Sequence, residues 1–177
     1  MFMSRGNCGI CVLVLALALA LVGAGWAQTA KPIFSPDHAI LYKRAVGLLD
    51  QAEQKLKAGD LAAAKSLVKQ SNALFTLLQK EYASVLAERE LSPQEDEQLA
   101  INQKLADDTH AEADRLMATA AAQDKKAQEL EAQGREVDSK ASYRQSKDGY
   151  NRAQNLYVRS ELHALRNQQR IFRFLAP

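Results

Sequence analysis

The sequence predicts an all-α fold: an extended four-helix assembly of two antiparallel helical hairpins, forming a long bundle or coiled coil. Three observations carry that expectation. The 177-residue chain is rich in Ala, Leu, Gln, Lys and Glu and only 6% aromatic, a composition of good helix formers. No segment alternates apolar and polar residues over strand length with β-branched side chains. Between Phe34 and Leu175 the prolines are Pro36 and Pro93 alone, each following a serine, and the first helical turn is where a helix tolerates proline.

The chain opens with a positive start at Arg5, an apolar run from Ile10 to Val22, and small residues before Gln28. That layout matches a secretory signal peptide, with Gly25 and Ala27 in the small-residue positions and cleavage expected after Ala27. Residues 1–27 are therefore read as a signal peptide and 28–34 as a short linker, which places the mature chain in the periplasm or an equivalent extracytoplasmic space. The alternative is an uncleaved anchor, because the apolar stretch approaches the ~20 residues that span a bilayer. Cys8 and Cys11 both fall in this segment. Their spacing is that of a redox pair, but the βαβ setting such a pair requires is absent.

Residues 35–177 are read as one helical domain, with a first hairpin over 35–91 and a second over 92–177. Ser35-Pro36-Asp37 caps a first helix carrying Leu41, Ala45, Leu48, Leu49, Ala52 and Leu56 at helical spacing. Ala58-Gly59-Asp60 ends it and starts the second helix, whose stripe is Leu61, Ala64, Leu67, Val68, Ser71, Leu74, Phe75, Leu78, Tyr82 and Leu86. Ser92-Pro93-Gln94-Glu95 predicts a capping box. The third helix follows with Leu99, Ile101, Leu105, Thr109, Ala113, Leu116, Ala120, Ala127 and Leu130, ending near Gly134. The fourth carries Tyr143, Ser146, Tyr150, Ala153, Tyr157 and Ala164, flanked by Leu156 and Leu165, and Gly149 in its middle suggests close approach by a neighbour. Arms of about 40 residues would reach ~60 Å.

The segment from Ala52 to Ala64, with Ala58-Gly59-Asp60 at its centre, resembles the inter-helix turn of a tetratricopeptide repeat. It is similar as well to the Ala-rich hairpins of short exported bacterial proteins of unknown function. The early Trp-Leu-Gly signature and the closing proline are missing, and no period of about 34 residues continues. The resemblance implies helix-hairpin architecture and protein binding. It transfers no functional residue.

Catalytic chemistry finds no foothold in the pattern. Phosphate loops, dinucleotide fingerprints and nucleophile elbows are absent, and the adjacent acids Asp107-Asp108 read as a hydrated face. His110 lies between Asp107 and Asp114 on one helical face, but a bundle metal site needs further Glu and His ligands from facing helices, and Glu161-Leu162-His163 has the wrong spacing to supply them. No catalytic residue, metal or cofactor is therefore expected. Tyr143, Tyr150 and Tyr157 recur every seven residues. They are read as a seam with hydroxyls at its rim, the other reading being an aromatic platform for a polymer.

Charge separates the halves of the second hairpin. Residues 81–132 hold 13 acids against 5 bases, whereas 139–177 hold 8 bases against 2 acids. The expectation is that the arms pair antiparallel through this complementarity, with Asp107, Asp108 and Glu112 near Arg159 and Arg166 and Glu97 near Arg173. Nucleic acid is not an expected partner, because no binding motif accompanies the bases. The C-terminal run Arg166, Arg170, Phe172, Arg173 and Phe174 has the Arg-and-aromatic composition of interface anchors. It is the candidate partner-binding segment, for unidentified envelope proteins or an anionic membrane surface. In the opposing reading Ile171, Phe172 and Leu175 close the end of the bundle. The function that fits is non-enzymatic: an envelope scaffold, adaptor or assembly factor, which leaves self-association open. A chaperone-like binder of unfolded clients is the alternative, and a metal-binding bundle comes after it.

Overall fold

The computed structural model describes residues 35–176; the segments expected to be a signal peptide and linker, with both cysteines, lie outside the described residues. Among those described, the fold is all-α. The helices are α1 (Pro36–Lys57), α2 (Leu61–Glu81), α3 (Ala83–Glu88), α4 (Pro93–Ala132) and α5 (Glu136–Ile171), and a short 3-10 turn follows at Arg173–Leu175. None of the described helices is long and apolar enough to cross a membrane.

The punctuation works as its chemistry dictates. The Ser35 hydroxyl accepts from the Asp37 amide at 3.2 Å, and Ser92 and Glu95 exchange the reciprocal bonds of a capping box. Both hairpin turns are Schellman motifs. At the first, the Gly59 amide donates to Leu56 and the Asp60 amide to Lys55; at the second, the Gly134 amide donates to Glu131 and the Arg135 amide to Leu130. The two glycines sit at φ +80° and +73°, where a Cβ is strained.

One segment departs from expectation. The second helix was expected to run through Tyr82 to Leu86. Instead it ends at Glu81, and six residues of α3 follow a single non-helical residue, Tyr82. Tyr82 is 2% exposed, its ring packs edge-on against Phe174 at 5.6 Å, and its hydroxyl meets His38 Nδ1 at 2.8 Å. Tertiary packing holds it where no Gly or Pro marks a break.

α1 and α2 form the first hairpin and pack against the C-terminal third of α5. Their shared core comprises Leu49, Leu56, Val68, Phe75, Leu78, Val158, Leu162, Leu165, Phe172 and Leu175, with Tyr42 and Tyr82 at its edge. Every α5 residue in this core lies at or beyond Val158, and no α4 residue belongs to it. α4 packs extensively along α5 alone. The hairpin of α4 and α5 therefore extends beyond the core as a two-helix arm, about 33 Å from Val158 back to Glu136 at 1.5 Å per residue.

The arm is held by small residues. On α4 the buried positions are Ala106, Ala113, Ala120 and Ala127, one per heptad, closed by Leu130 near the tip. On α5 Ser139, Ser146, Ala153, Ser160 and Asn167 are buried, also one per heptad, with Ser142 buried beside them near the tip. Seven-residue spacing keeps a seam facing its partner, and side chains this short let the backbones approach. Ser160 Oγ donates to the Ala106 carbonyl at 2.8 Å. One heptad along each helix, Asn167 Nδ2 donates to the Leu99 carbonyl at 3.1 Å. A Cβ on Gly149 would lie 2.9 Å from Ala120 Cβ and 3.5 Å from its Cα; that near-contact explains the glycine.

Antiparallel pairing of the arms is thus present, but the charge pairing expected of it is not. Among the described residues no ion pair joins α4 to α5. The α4 acids pair along their own helix, as Lys104–Asp108 and Arg115–Glu112 do, and Arg166 turns instead to Asp50 and Glu53 of α1 at 2.9 and 3.0 Å. The bonds from Ser160 and Asn167 to α4 carbonyls set the register, and the hydrated charges stand outside it. Ile101 and Leu105, expected in the stripe, are 50% and 44% exposed, because the seam runs through Leu99 and Ala106 rather than between them.

Candidate functional site

The C-terminal segment splits into two sets of side chains with different tasks. Phe172 is wholly buried and stacks near Phe75, with ring centroids 6.2 Å apart. Phe174 packs on Tyr82 and lies under the Arg89 guanidinium at 5.5 Å. Leu175 is wholly buried beside them. These residues close the bundle end, the placement the capping reading expected. Phe172 therefore has no exposed surface to offer a partner here, and Phe174 is half-buried against Tyr82.

The arginines of the same segment turn outward. Arg166, Arg170 and Arg173 sit at i, i+4 and i+7, one face of the helix and its following turn. Together with Tyr42 of α1, Asn102 of α4 and Gln169 they line a cleft of about 430 Å³ where three helices meet. α1 shapes this cleft through Tyr42, Asp50 and Glu53. The Tyr42 hydroxyl donates to the Gln169 carbonyl at 3.0 Å, and Arg166, held by Asp50 and Glu53, donates to Gln169 Oε1 at 2.7 Å. Arg89 donates to the Ile171 carbonyl. Two carbonyls that every helix leaves open at its C-terminus are thereby occupied from other elements.

The electrostatics follow the geometry. Burial pushes the Tyr42 hydroxyl up, and the Arg173 charge opposes that. Hydrogen bonds from the Ser92 amide and hydroxyl hold the Glu95 carboxyl below the usual range, helped by Arg89 and Arg173. Glu53 is lowered by its bonds to Lys57 and Arg166. Arg170 and Arg173 form no ion pair with any described residue. Arg170 and Arg173 thus bring positive charge without a direct ion-pair partner into a polar recess, with Glu95 within Coulombic reach of Arg173.

His110 stands 3.9 Å from Asp114 and edge-on to Tyr157 at 5.1 Å, and no group of three potential metal ligands occurs among the described residues. The tyrosines flank the seam without forming it. The Tyr157 hydroxyl donates to Asp114 at 2.6 Å and that of Tyr143 to Glu131 at 3.0 Å, so they strap the two helices along one edge. Tyr42, Asn102 and Gln169 were invisible as site residues in the sequence; only the Arg spacing pointed to the cleft.

The fold and cleft thus define an all-α two-hairpin protein with a projecting arm and a cationic recess at its base. No family model, curated protein or solved structure matches the chain.

Proposed function

We propose that the chain is a non-enzymatic interaction protein of the cell envelope: a scaffold, adaptor or assembly factor working outside the cytoplasm. The envelope placement rests on the N-terminal signal pattern. The interaction role rests on the arm. α4 spans 40 residues yet adds nothing to the aromatic core, so its length is not needed to hold the fold. Its small-residue seam leaves the broad outer faces of both helices charged and hydrated. A stiff two-helix arm on a compact base offers reach and surface, as a docking element requires.

The test shortens the arm without disturbing its register. Removing 113–126 together with 140–153 deletes two heptads from each helix and leaves Ala106 opposite Ser160 and Ala127 opposite Ser139. A photo-crosslinking residue at Val137, 82% exposed at the arm tip, should give a discrete adduct in living cells with the full arm and none with the short one. A short-armed chain that folds, keeps the adduct and fully complements a deletion strain would contradict the reading.

A further inference from the structure

We propose that the cleft between α1, α4 and α5 is the receptor for an acidic segment of a partner protein, whose carboxylates bridge Arg170 and Arg173 beside Asn102. The proposal rests on the interaction reading above and assigns it a second, chemically defined contact at the base of the arm.

Four observations carry it. Three guanidinium groups converge on one recess of about 430 Å³, and the rest of its lining is Tyr42, Asn102 and Gln169. The recess is thus polar, unlike the apolar pockets that hold most small molecules. Guanidinium is a planar fork that matches a carboxylate in bidentate fashion. Arg166 is already committed to Asp50 and Glu53, which fixes the back wall and leaves Arg170 and Arg173 as the free forks. A helix C-terminus ordinarily repels an anion, but here Tyr42 and Arg89 occupy the Gln169 and Ile171 carbonyls, and the arginines outweigh what remains.

The same geometry favours a peptide over a bilayer. A basic segment that rests on a membrane inserts apolar side chains between the lipids. Phe172, Leu175 and Phe174 are instead turned into the core, so the arginines have no wedge beside them. A concave recess admits a side chain more readily than a flat surface.

Fluorescence anisotropy of a labelled glutamate-rich peptide tests the site, with the glutamine version of that peptide as the uncharged control. The full protein should bind the glutamate peptide in a salt-sensitive way and ignore the glutamine one. The double variant Arg170→Gln/Arg173→Gln should weaken binding about tenfold or more, a factor of ten being ~1.4 kcal/mol. Arg144→Gln/Lys147→Gln removes equal charge from the distal arm and should bind as the native protein does. Both arginine positions are exposed, and an unchanged melting curve verifies that each variant folds. Equal loss in the two double variants would mean unspecific charge attraction and overturn the proposal. So would phosphatidylglycerol vesicles binding through Arg170 and Arg173 while the peptide does not, or a dimer of the chain that the Arg170/Arg173 variant dissolves. If the peptide arm fails while the Val137 adduct persists, the cleft assignment falls and the interaction role stands.

Discussion

The two ends of α5 pack against their neighbours with opposite kinds of side chain. Beyond Val158 the helix joins a core of large residues, where Phe75, Phe172, Leu49 and Leu78 are buried almost completely. Toward Glu136 it meets α4 through serine, alanine and glycine. The first region gains its stability from area removed from water, at ~25 cal/mol per Å². The second buries little area per residue and relies on close backbone approach. Ser160 occupies a place where both arrangements meet, bonded to α4 while Val158 and Leu162 on its other side face the first hairpin. One helix thus serves as the shared wall of a compact base and as half of a thin arm.

The contrast predicts unequal responses to substitution. The largest belongs to the base: Phe172→Ala should cost about 3–5 kcal/mol through the cavity it leaves, lowering the thermal midpoint by about 10 °C for a domain of this size. A midpoint within a degree or two of the native value would show that the bundle end carries no core. In the arm, Gly149→Ala should destabilise by about 1–3 kcal/mol despite alanine's better helix propensity, because the new methyl meets Ala120 Cβ and its backbone. Gly47 offers the matched control. It is helical, with nothing within 4 Å of an added Cβ, so Gly47→Ala should stabilise by about 0.4–1 kcal/mol. Denaturant melts of both alanine variants check the opposite signs.

A smaller effect concerns pH. Burial lowers the His163 imidazole from its ordinary value, with Glu53 opposing and Arg159 and Arg166 adding. The unfolded chain then takes up a proton at higher pH than the folded one, so stability is greatest above the ordinary histidine range and falls as the solution is acidified through it. Glu53 acts in the same direction at lower pH: its carboxyl is held below the usual range, and its contribution is lost as pH falls through that lowered value. His163→Gln should flatten the stability profile between about pH 7 and 5 and leave the lower, carboxylate-driven limb in place.

What the sequence made legible were the features written in local chemistry. Ser35, Ser92, Gly59 and Gly134 each act through bonds to residues a few positions away, and each was readable. The core of the first hairpin was readable too, since Leu49, Leu56, Val68 and Phe75 recur at helical spacing. The arm was harder because its seam is made of residues that also occur on surfaces. Ala106 and Ser139 carry no hydrophobic signal that separates them from Ala100 or Ser84, whereas Ile101 and Leu105 carry a strong one and stand outside the seam. The charge pattern misled for a related reason: exposed pairs are worth only ~0–1 kcal/mol, too little to displace a register that buries carbonyls against serine and asparagine. In the cleft, the three arginines could be seen in the sequence, but Tyr42 and Asn102 come from elements that only the fold brings near.

The central claim, that a small-residue seam in one register holds the arm, is tested most directly by paired cysteines. In a chain with Cys8 and Cys11 replaced by serine, Ala106→Cys/Ser160→Cys places two thiols where a 2.8 Å bond now joins the helices. A disulfide needs Cα atoms about 4.4–6.8 Å apart. The account predicts that this pair oxidises readily, while Ala113→Cys/Ser160→Cys, displaced one heptad or about 10 Å, does not. Equal oxidation of both pairs, or of the displaced pair alone, would contradict it.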